Sequence, residues 1–364
     1  MHKIAFIKFG GLASAGTEIS FQNIAAKLSE RFIVHYYYCD SAPYIGSDWV
    51  HPNTSLSRMK FLNETDVLLK KFEIQYKDIT KPNHLWVGSN FWDLFDESNY
   101  SLIFSTGAGF PEYPFTEIKK TPIINIVTIN GGVSNQKNIL KTVLISEDSK
   151  QRWIKQGGDA SRSLIIPPVR EEFKRTNNNL RQKLNLHDKF VFGFHQREDN
   201  SIFSEIPLKA YNRVQSNKNY FLLLGGGENY RHQATQLNIE NFLQLESSYE
   251  FEEIDKFLNT LNVFTHGRKH GETFGLVLTE AMSYGIPLIT HKAESNAQTE
   301  LVQSIGKSYS RYNYISYANE MKKFEKNKEY YALISSKTKN KFKLNYSSEI
   351  VFKKYFELIS SILN

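Results

Sequence analysis

Short runs of unbroken apolar residues alternate along the chain with longer stretches of helical period. KIAFIKF (3–9) is followed by the turn GGLASAGTE. Ile19, Ile24, Ala25 and Leu28 then recur at helical spacing, and FIVHYYYC (32–39) reads as a second strand. Further strands are predicted at SLIFST (101–106), PIINIVTI (122–129) and TVLIS (142–146). The pattern resumes at KFVFGFH (189–195), NYFLLLGGG (219–227), LNVFTHG (261–267) and PLITH (287–291). Strands without polar alternation, joined through helices, predict parallel sheets covered on both faces. The fold class is therefore α/β, with two Rossmann-like doubly wound halves.

The paired prolines in IIPPVREEF mark a stiff connection, which places a boundary near Pro168. An N-terminal domain over 1–168 and a C-terminal domain over 169–345 result. In YSSEIVFKKYFELISSIL, the residues Phe352, Tyr355, Phe356, Ile359 and Leu363 share one stripe, so a helix over about 346–364 is expected to dock by its apolar face, back on the first domain. The stretch from Trp49 to Trp92 is less regular, and Trp49, Trp86, Phe91 and Trp92 fit either a core or the lining of a cleft.

With 364 residues, two ordinary domains can each bury a core. The single cysteine, Cys39, excludes an intramolecular disulfide and fits a reducing, cytoplasmic compartment. No apolar run approaches the length of a spanning helix. MHKIAFIKFGG lacks the pattern of a signal peptide and reads as a buried strand. The formal net charge of +7 is concentrated between Lys322 and Lys343, where eight lysines face two glutamates. Lysine without arginine or an RNA-binding aromatic signature points to a solvated helical face and not to nucleic acid. Peripheral contact with an anionic membrane surface is the sharper alternative.

The chemistry concentrates in GETFGLVLTEAMSYGIP. Gly271 and Gly275 permit a tight loop, and the run from Leu276 to Tyr284 is helical, so the loop delivers backbone N–H groups at a helix N-terminus that attracts an anion. Glu272 precedes that helix and Glu280 lies a little over one turn into it. Carboxylates beside a phosphate-binding end suit hydroxyl groups, and a sugar nucleotide carries both kinds of group.

This string resembles the E-x7-E signature of family 4 retaining glycosyltransferases of GT-B architecture, in which two Rossmann-like domains face a cleft. The resemblance implies transfer of a sugar from a nucleoside-diphosphate sugar to a glycan, lipid-linked or other acceptor, with retention and without a metal or other cofactor. It implies that Glu272 contacts donor-sugar hydroxyls, that Phe274, Gly275 and Leu276 supply loop amides, and that Glu280 holds the ribose. FGGLASAGTE resembles the family's first Gly-rich loop, with Gly10, Gly11 and Gly16 facing the donor. GFHQRED matches the region of an arginine that neutralises the leaving diphosphate, here Arg197. The lysine that normally follows is missing, and Arg268 or Lys269 is the available substitute. After PIINIVTI, where many relatives place a histidine beside the donor sugar, Asn130 stands instead, and an amide cannot shuttle a proton.

His266 and His270 lie four apart near Glu272, but Gly267 and Gly271 argue for loop rather than the helix that zinc ligation at this spacing needs. His195 is expected to hydrogen-bond locally. A nucleotide-sugar epimerase or hydrolase of the same fold, and a non-catalytic protein binding an anionic polymer, are the rival readings.

Overall fold

The computed structural model describes residues 1–40, 43–45, 53–81, 84–170, 176–310 and 312–363. Trp49 lies outside them. The chain divides into two compact units, one comprising Met1–Glu171 with Val351–Asn364 and the other Glu172–Ile350. The boundary thus falls past Pro168, and the chain returns to the first unit only at Val351.

The first unit is built on seven parallel strands: β1 (Lys3–Ile7), β2 (Ile33–Tyr38), β3 (Val67–Lys71), β4 (Leu102–Gly107), β5 (Ile123–Val127), β6 (Ile139–Leu144) and β7 (Ser163–Ile165), in the order β3-β2-β1-β4-β5-β6-β7. The side-chain period of two splits the strand residues between two apolar layers. Ile4 and Phe6 of β1, with Val34, Tyr36 and Phe104, meet Phe21, Ile24 and Leu28 of helix α1 (Gly16–Ser29). Ala5 and Ile7, with Tyr37 and Ile103, face the other way onto Phe72, Trp86, Phe91 and Phe95. Trp86 and Phe91 are therefore core, whereas Trp92 is exposed. The irregular stretch in the sequence is what covers this second face. It contributes the edge strand β3 and a two-residue hairpin of Tyr76–Lys77 against Trp86–Val87. In strand β3 Leu68 and both lysines are exposed, so its pattern is too polar to stand out.

Between β6 and β7 of this unit runs helix α2 (Glu147–Lys155), capped by the Ser146 hydroxyl, which accepts from the Ser149 N–H. The second unit carries six parallel strands: β8 (Phe190–Gln196), β9 (Asn219–Gly225), β10 (Phe242–Leu245), β11 (Val263–Thr265), β12 (Leu288–His291) and β13 (Lys307–Tyr309), in the order β10-β9-β8-β11-β12-β13. Its helices include α3 (Phe251–Thr260), α4 (Leu276–Ser283), α5 (Tyr314–Lys326) and α6 (Lys328–Asn345). In both sheets the strand order reverses beside the first strand, between β1 and β4 and between β8 and β11. At such a switch point the loops leaving adjacent strands diverge and open a crevice at the carboxyl ends, where ligands bind in doubly wound sheets.

The last helix, α7 (Ser348–Leu363), packs into the core of the first unit. Tyr355 and Ile359 of the predicted stripe are buried there. Val351 and Leu358 are buried beside them, while Phe352, Phe356 and Leu363 are partly covered. Each buried apolar side chain of this kind contributes roughly 1.5–3 kcal/mol, which is ample to hold the helix against that unit.

Seven of the eight lysines between Lys322 and Lys343 are exposed on α5 and α6, as a solvated face requires. Lys341 is different. Its Nζ donates to the carbonyls of Glu300, Leu301 and Gln303 at 2.8–3.0 Å and closes the end of the helix Ala297–Val302. Burial lowers its pKa against the opposing pull of Glu300. Among the described residues no helix is long and apolar enough to cross a membrane.

Candidate functional site

At the switch point of the second sheet, the loop leaving β11 turns back on itself before α4. Gly271 and Glu272 pair in parallel with Ser295 and Asn296. Gly271 has φ +71°, and a Cβ there would stand 1.9 Å from the Ser295 carbonyl oxygen, so only glycine allows this approach. Gly271→Ala is expected to lower stability by more than about 1 kcal/mol and to displace Glu272. Unfolding of the variant in urea, set beside its affinity for a nucleotide sugar, checks both effects.

Glu272 is 9% exposed, and three side chains fix it. His266 Nε2 lies 3.1 Å from Oε1, Arg268 Nη1 donates to Oε2 at 3.0 Å, and the Glu272 N–H donates to Gln298 Oε1 at 2.9 Å. Burial alone would raise the Glu272 carboxyl. The Arg268 charge and the His266 contact outweigh it and hold the group below its ordinary value, so Glu272 is a carboxylate at neutral pH.

A second layer supports this loop. Gln298, fully buried, also donates from Nε2 to the His291 carbonyl. His291 Nε2 accepts from the Arg268 N–H at 3.3 Å and lies 3.0 Å from Ser204 Oγ, while Nδ1 lies 3.0 Å from the Lys292 carbonyl. That set of partners requires the neutral tautomer with its proton on Nδ1. Tyr317 of α5 donates to the carbonyls of His266 and Ile289. Neither Gln298 nor His291 belongs to any motif, and nothing in the sequence marks them.

Glu280, 5% exposed, lies in α4. Its Oε2 is 2.9 Å from Nε2 of His195, a residue of β8 that is itself 7% exposed. The expectation that His195 bonds locally is thus corrected. The parallel sheet brings the end of β8 against a helix more than eighty residues further along, a contact invisible to local pattern. Gly275 caps α4 in the left-handed region at φ +99° and ψ +67°, with no side-chain cap on the first turn. The Leu278 and Thr279 N–H groups donate to the Gly275 carbonyl, and Phe274 anchors the turn by being buried.

Arg197 follows β8 and is 53% exposed. Its Nε and Nη2 both donate to Asp199 Oδ2, at 2.9 and 2.6 Å. Asp199 is held in turn by the Ser201 hydroxyl and N–H, which with Arg197 keep its carboxyl below the ordinary range. An exposed ion pair of this kind contributes only about 0–1 kcal/mol, so an anionic ligand can take the guanidinium from Asp199 at little cost. Of the two candidates for the missing lysine, Arg268 is engaged by Glu272, and Lys269 is exposed.

The run NYFLLLGGG ends in a turn at the same sheet. Gly225, Gly226 and Gly227, leaving β9, all have positive φ, and the helix Glu228–Gln236 starts directly after them. A Cβ on Gly225 would meet the Gln196 carbonyl at 2.1 Å, and one on Gly227 would meet Asn200 Oδ1 at 2.6 Å. The three glycines after FLLL thus form the turn that follows the strand. Gly10, Gly11 and Gly16, by contrast, have no positive φ.

Those three glycines belong to the first unit, as does Asn130. The Gly10 carbonyl accepts from Cys39 N–H, the Gly11 carbonyl accepts from Ala13 N–H, and Gly16 opens α1. Asn130 follows β5, and its Oδ1 accepts from the Ser149 hydroxyl of α2 at 2.8 Å. His266 and His270 separate, the first buried against Glu272 and the second exposed. Among the described residues no group of three or more His, Cys, Asp or Glu is placed to hold a metal ion.

The family model for glycosyl transferases group 1 matches residues 177–341, which is most of the second unit. No curated protein matches the chain in sequence. Among solved structures, Anabaena Alr3699/HepE in complex with UDP and glucose is similar, with TM-score 0.72 and 17% identity over 99% of this chain and 100% of that one. A glycosyltransferase from Rickettsia africae ESF-5 gives TM-score 0.75 and 11% identity over 100% and 99%. Sucrose-phosphate synthase from Thermosynechococcus elongatus gives 0.70 and 15% over 100% and 99%. Two Rossmann-like units on parallel sheets, matched end to end by these structures, give the chain the GT-B fold of glycosyltransferases.

Proposed function

We propose that the protein is a retaining glycosyltransferase that takes a nucleoside-diphosphate sugar as donor and needs no metal for the transfer step. The observation that carries this reading is the pair of buried, ionised or ion-paired glutamates, Glu272 and Glu280, flanking an uncapped helix N-terminus at the switch point of the second sheet. Carboxylates accept hydrogen bonds and repel phosphate, so they are suited to sugar and ribose hydroxyls. The helix end and Arg197 supply the opposite charge for a diphosphate. Glu272 then holds the donor sugar and Glu280 the ribose, with loop amides at Phe274, Gly275 and Leu276 between them. Nucleotide binding of this kind is supported by the similar Anabaena protein, which was crystallised with UDP and with UDP-glucose. In the first unit, the Gly10–Gly11 turn and Asn130 are the groups assigned to the donor side of that unit's sheet.

Chemically, the barrier falls mainly because charge growing on the leaving diphosphate meets donors already in place. No side chain is assigned as nucleophile, and the leaving phosphate takes the acceptor proton. The acceptor is a glycan or lipid-linked sugar, and the exposed lysines of α5 and α6 give the protein a surface for an anionic membrane bearing it. Glu280→Ala is expected to weaken binding of UDP on the order of 10-fold to 100-fold, as loss of a hydrogen bond to a charged group does. Calorimetric titration of UDP into the folded variant tests it, and unchanged affinity would remove Glu280 from the site. Production of free UDP together with an elongated acceptor separates transfer from epimerisation or hydrolysis.

A further inference from the structure

His195 lies on the central strand β8, in register with Leu224 of β9, and its Nε2 meets Glu280 Oε2 at 2.9 Å. Phe257 of α3 and Phe264 of β11 stand edge-on to the imidazole, with centroid distances of 6.0 and 5.8 Å. The ring is thereby fixed from two sides, with Nε2 in close contact with the Glu280 carboxylate. A carboxylate withdrawn from water requires such a partner. The pair is nevertheless a poor device for stability alone, because well-packed apolar residues do as well or better in a buried place. Its location is informative: strand, aromatic rings and carboxylate converge beside the point where the second sheet reverses its order.

We propose that His195 is the positioning residue for Glu280, turning its carboxylate toward the ribose hydroxyls of a nucleoside diphosphate, so that it sets nucleotide affinity through the ribose alone. This rests on the reading of Glu280 as the ribose-holding group. A carboxylate has about four acceptor positions, so the imidazole contact fixes the plane of Glu280 without exhausting it. Among the other charged groups of the crevice, Arg268 and His266 face Glu272, and Arg197 faces Asp199.

The test is calorimetric titration of UDP and of 2′,3′-dideoxy-UDP into the full-length wild type, His195→Leu, His195→Ala, His195→Gln and Glu280→Gln, each first shown to unfold cooperatively. His195→Leu is expected to weaken UDP on the order of 10-fold and to leave the dideoxy nucleotide unaffected. His195→Gln, whose amide nitrogen takes the place of Nε2 and can donate to the carboxylate, is expected to recover most of the loss. Equal weakening of both nucleotides by His195→Leu would show a merely structural role and overturn the proposal, as would no weakening at all. The underlying reading has its own arm. If Glu280→Gln keeps the wild-type ratio of UDP to dideoxy-UDP affinity, Glu280 does not hold the ribose, whatever the histidine variants do. Failure of His195→Leu to fold leaves His195→Ala to decide: weakening confined to UDP supports positioning, and equal weakening of both nucleotides, or none, opposes it. A wild type that binds neither nucleotide overturns the proposal.

Discussion

Glu272→Gln is expected to lower kcat/KM for sugar transfer roughly 100-fold, from the contribution of about 1.5–3 kcal/mol that a hydrogen bond to a charged group makes. Glutamine keeps the shape of the side chain but provides one acceptor oxygen where the carboxylate serves both His266 and Arg268. The loss should appear with the intact donor and be small for the nucleotide alone, because the sugar hydroxyls are what Glu272 contacts in the proposed site. Steady-state kinetics with the true donor, with a melting curve to show that the fold is kept, checks this. Alanine is a less clean choice. It leaves the Arg268 guanidinium, which is largely covered, without its carboxylate partner, and removing one member of a buried pair destabilises on its own account.

Arg197→Met is expected to reduce kcat by roughly 10²-fold to 10³-fold, the range seen when one preorganised donor to developing negative charge is removed. The effect on KM should be much smaller, since the guanidinium acts on charge that grows during bond breaking. Arg197→Lys should restore little, because the fork that now grips Asp199 through two nitrogens cannot be reproduced by a single ammonium. Single-turnover rates at saturating donor measure the step directly. Asp199→Asn provides the complementary variant. Releasing Arg197 from its carboxylate should leave kcat at or above the wild-type value, whereas removal of the arginine itself should not.

Much of the fold was legible because buried parallel strands write themselves as unbroken apolar runs. KIAFIKF, PIINIVTI and KFVFGFH each mark a strand at the centre of a sheet. Edge strands were not legible. Val67–Lys71, Phe242–Leu245 and Lys307–Tyr309 lie at sheet margins, carry polar or half-exposed residues, and so lose the signal. The site shows the same division. Glu272, Gly275 and Glu280 lie within one continuous segment, and their spacing around a helix start is local information. His195, His291 and Gln298 reach the same place from other parts of the chain, and only the strand order brings them there. The aromatic stretch around Trp86 and Phe91 was ambiguous between core and cleft for a related reason. Composition cannot say which face of a sheet an irregular excursion will cover, and here it covers the second apolar face of the first unit.

In the proposed site Glu272 and Glu280 hold the hydroxyl groups of a nucleotide sugar beside a phosphate-binding helix end. The most direct test of this arrangement is a thermal-shift comparison of UDP-glucose, ADP-glucose and GDP-mannose with the bare diphosphates, run on the wild type and on Glu272→Gln. A ligand that binds only the folded state stabilises according to its concentration over Kd. The wild type should be stabilised more by one nucleotide sugar than by its diphosphate, and Glu272→Gln should keep the diphosphate response while losing the sugar increment. An unaltered sugar increment in Glu272→Gln, or no response of the wild type to any of the nucleotides, would contradict it.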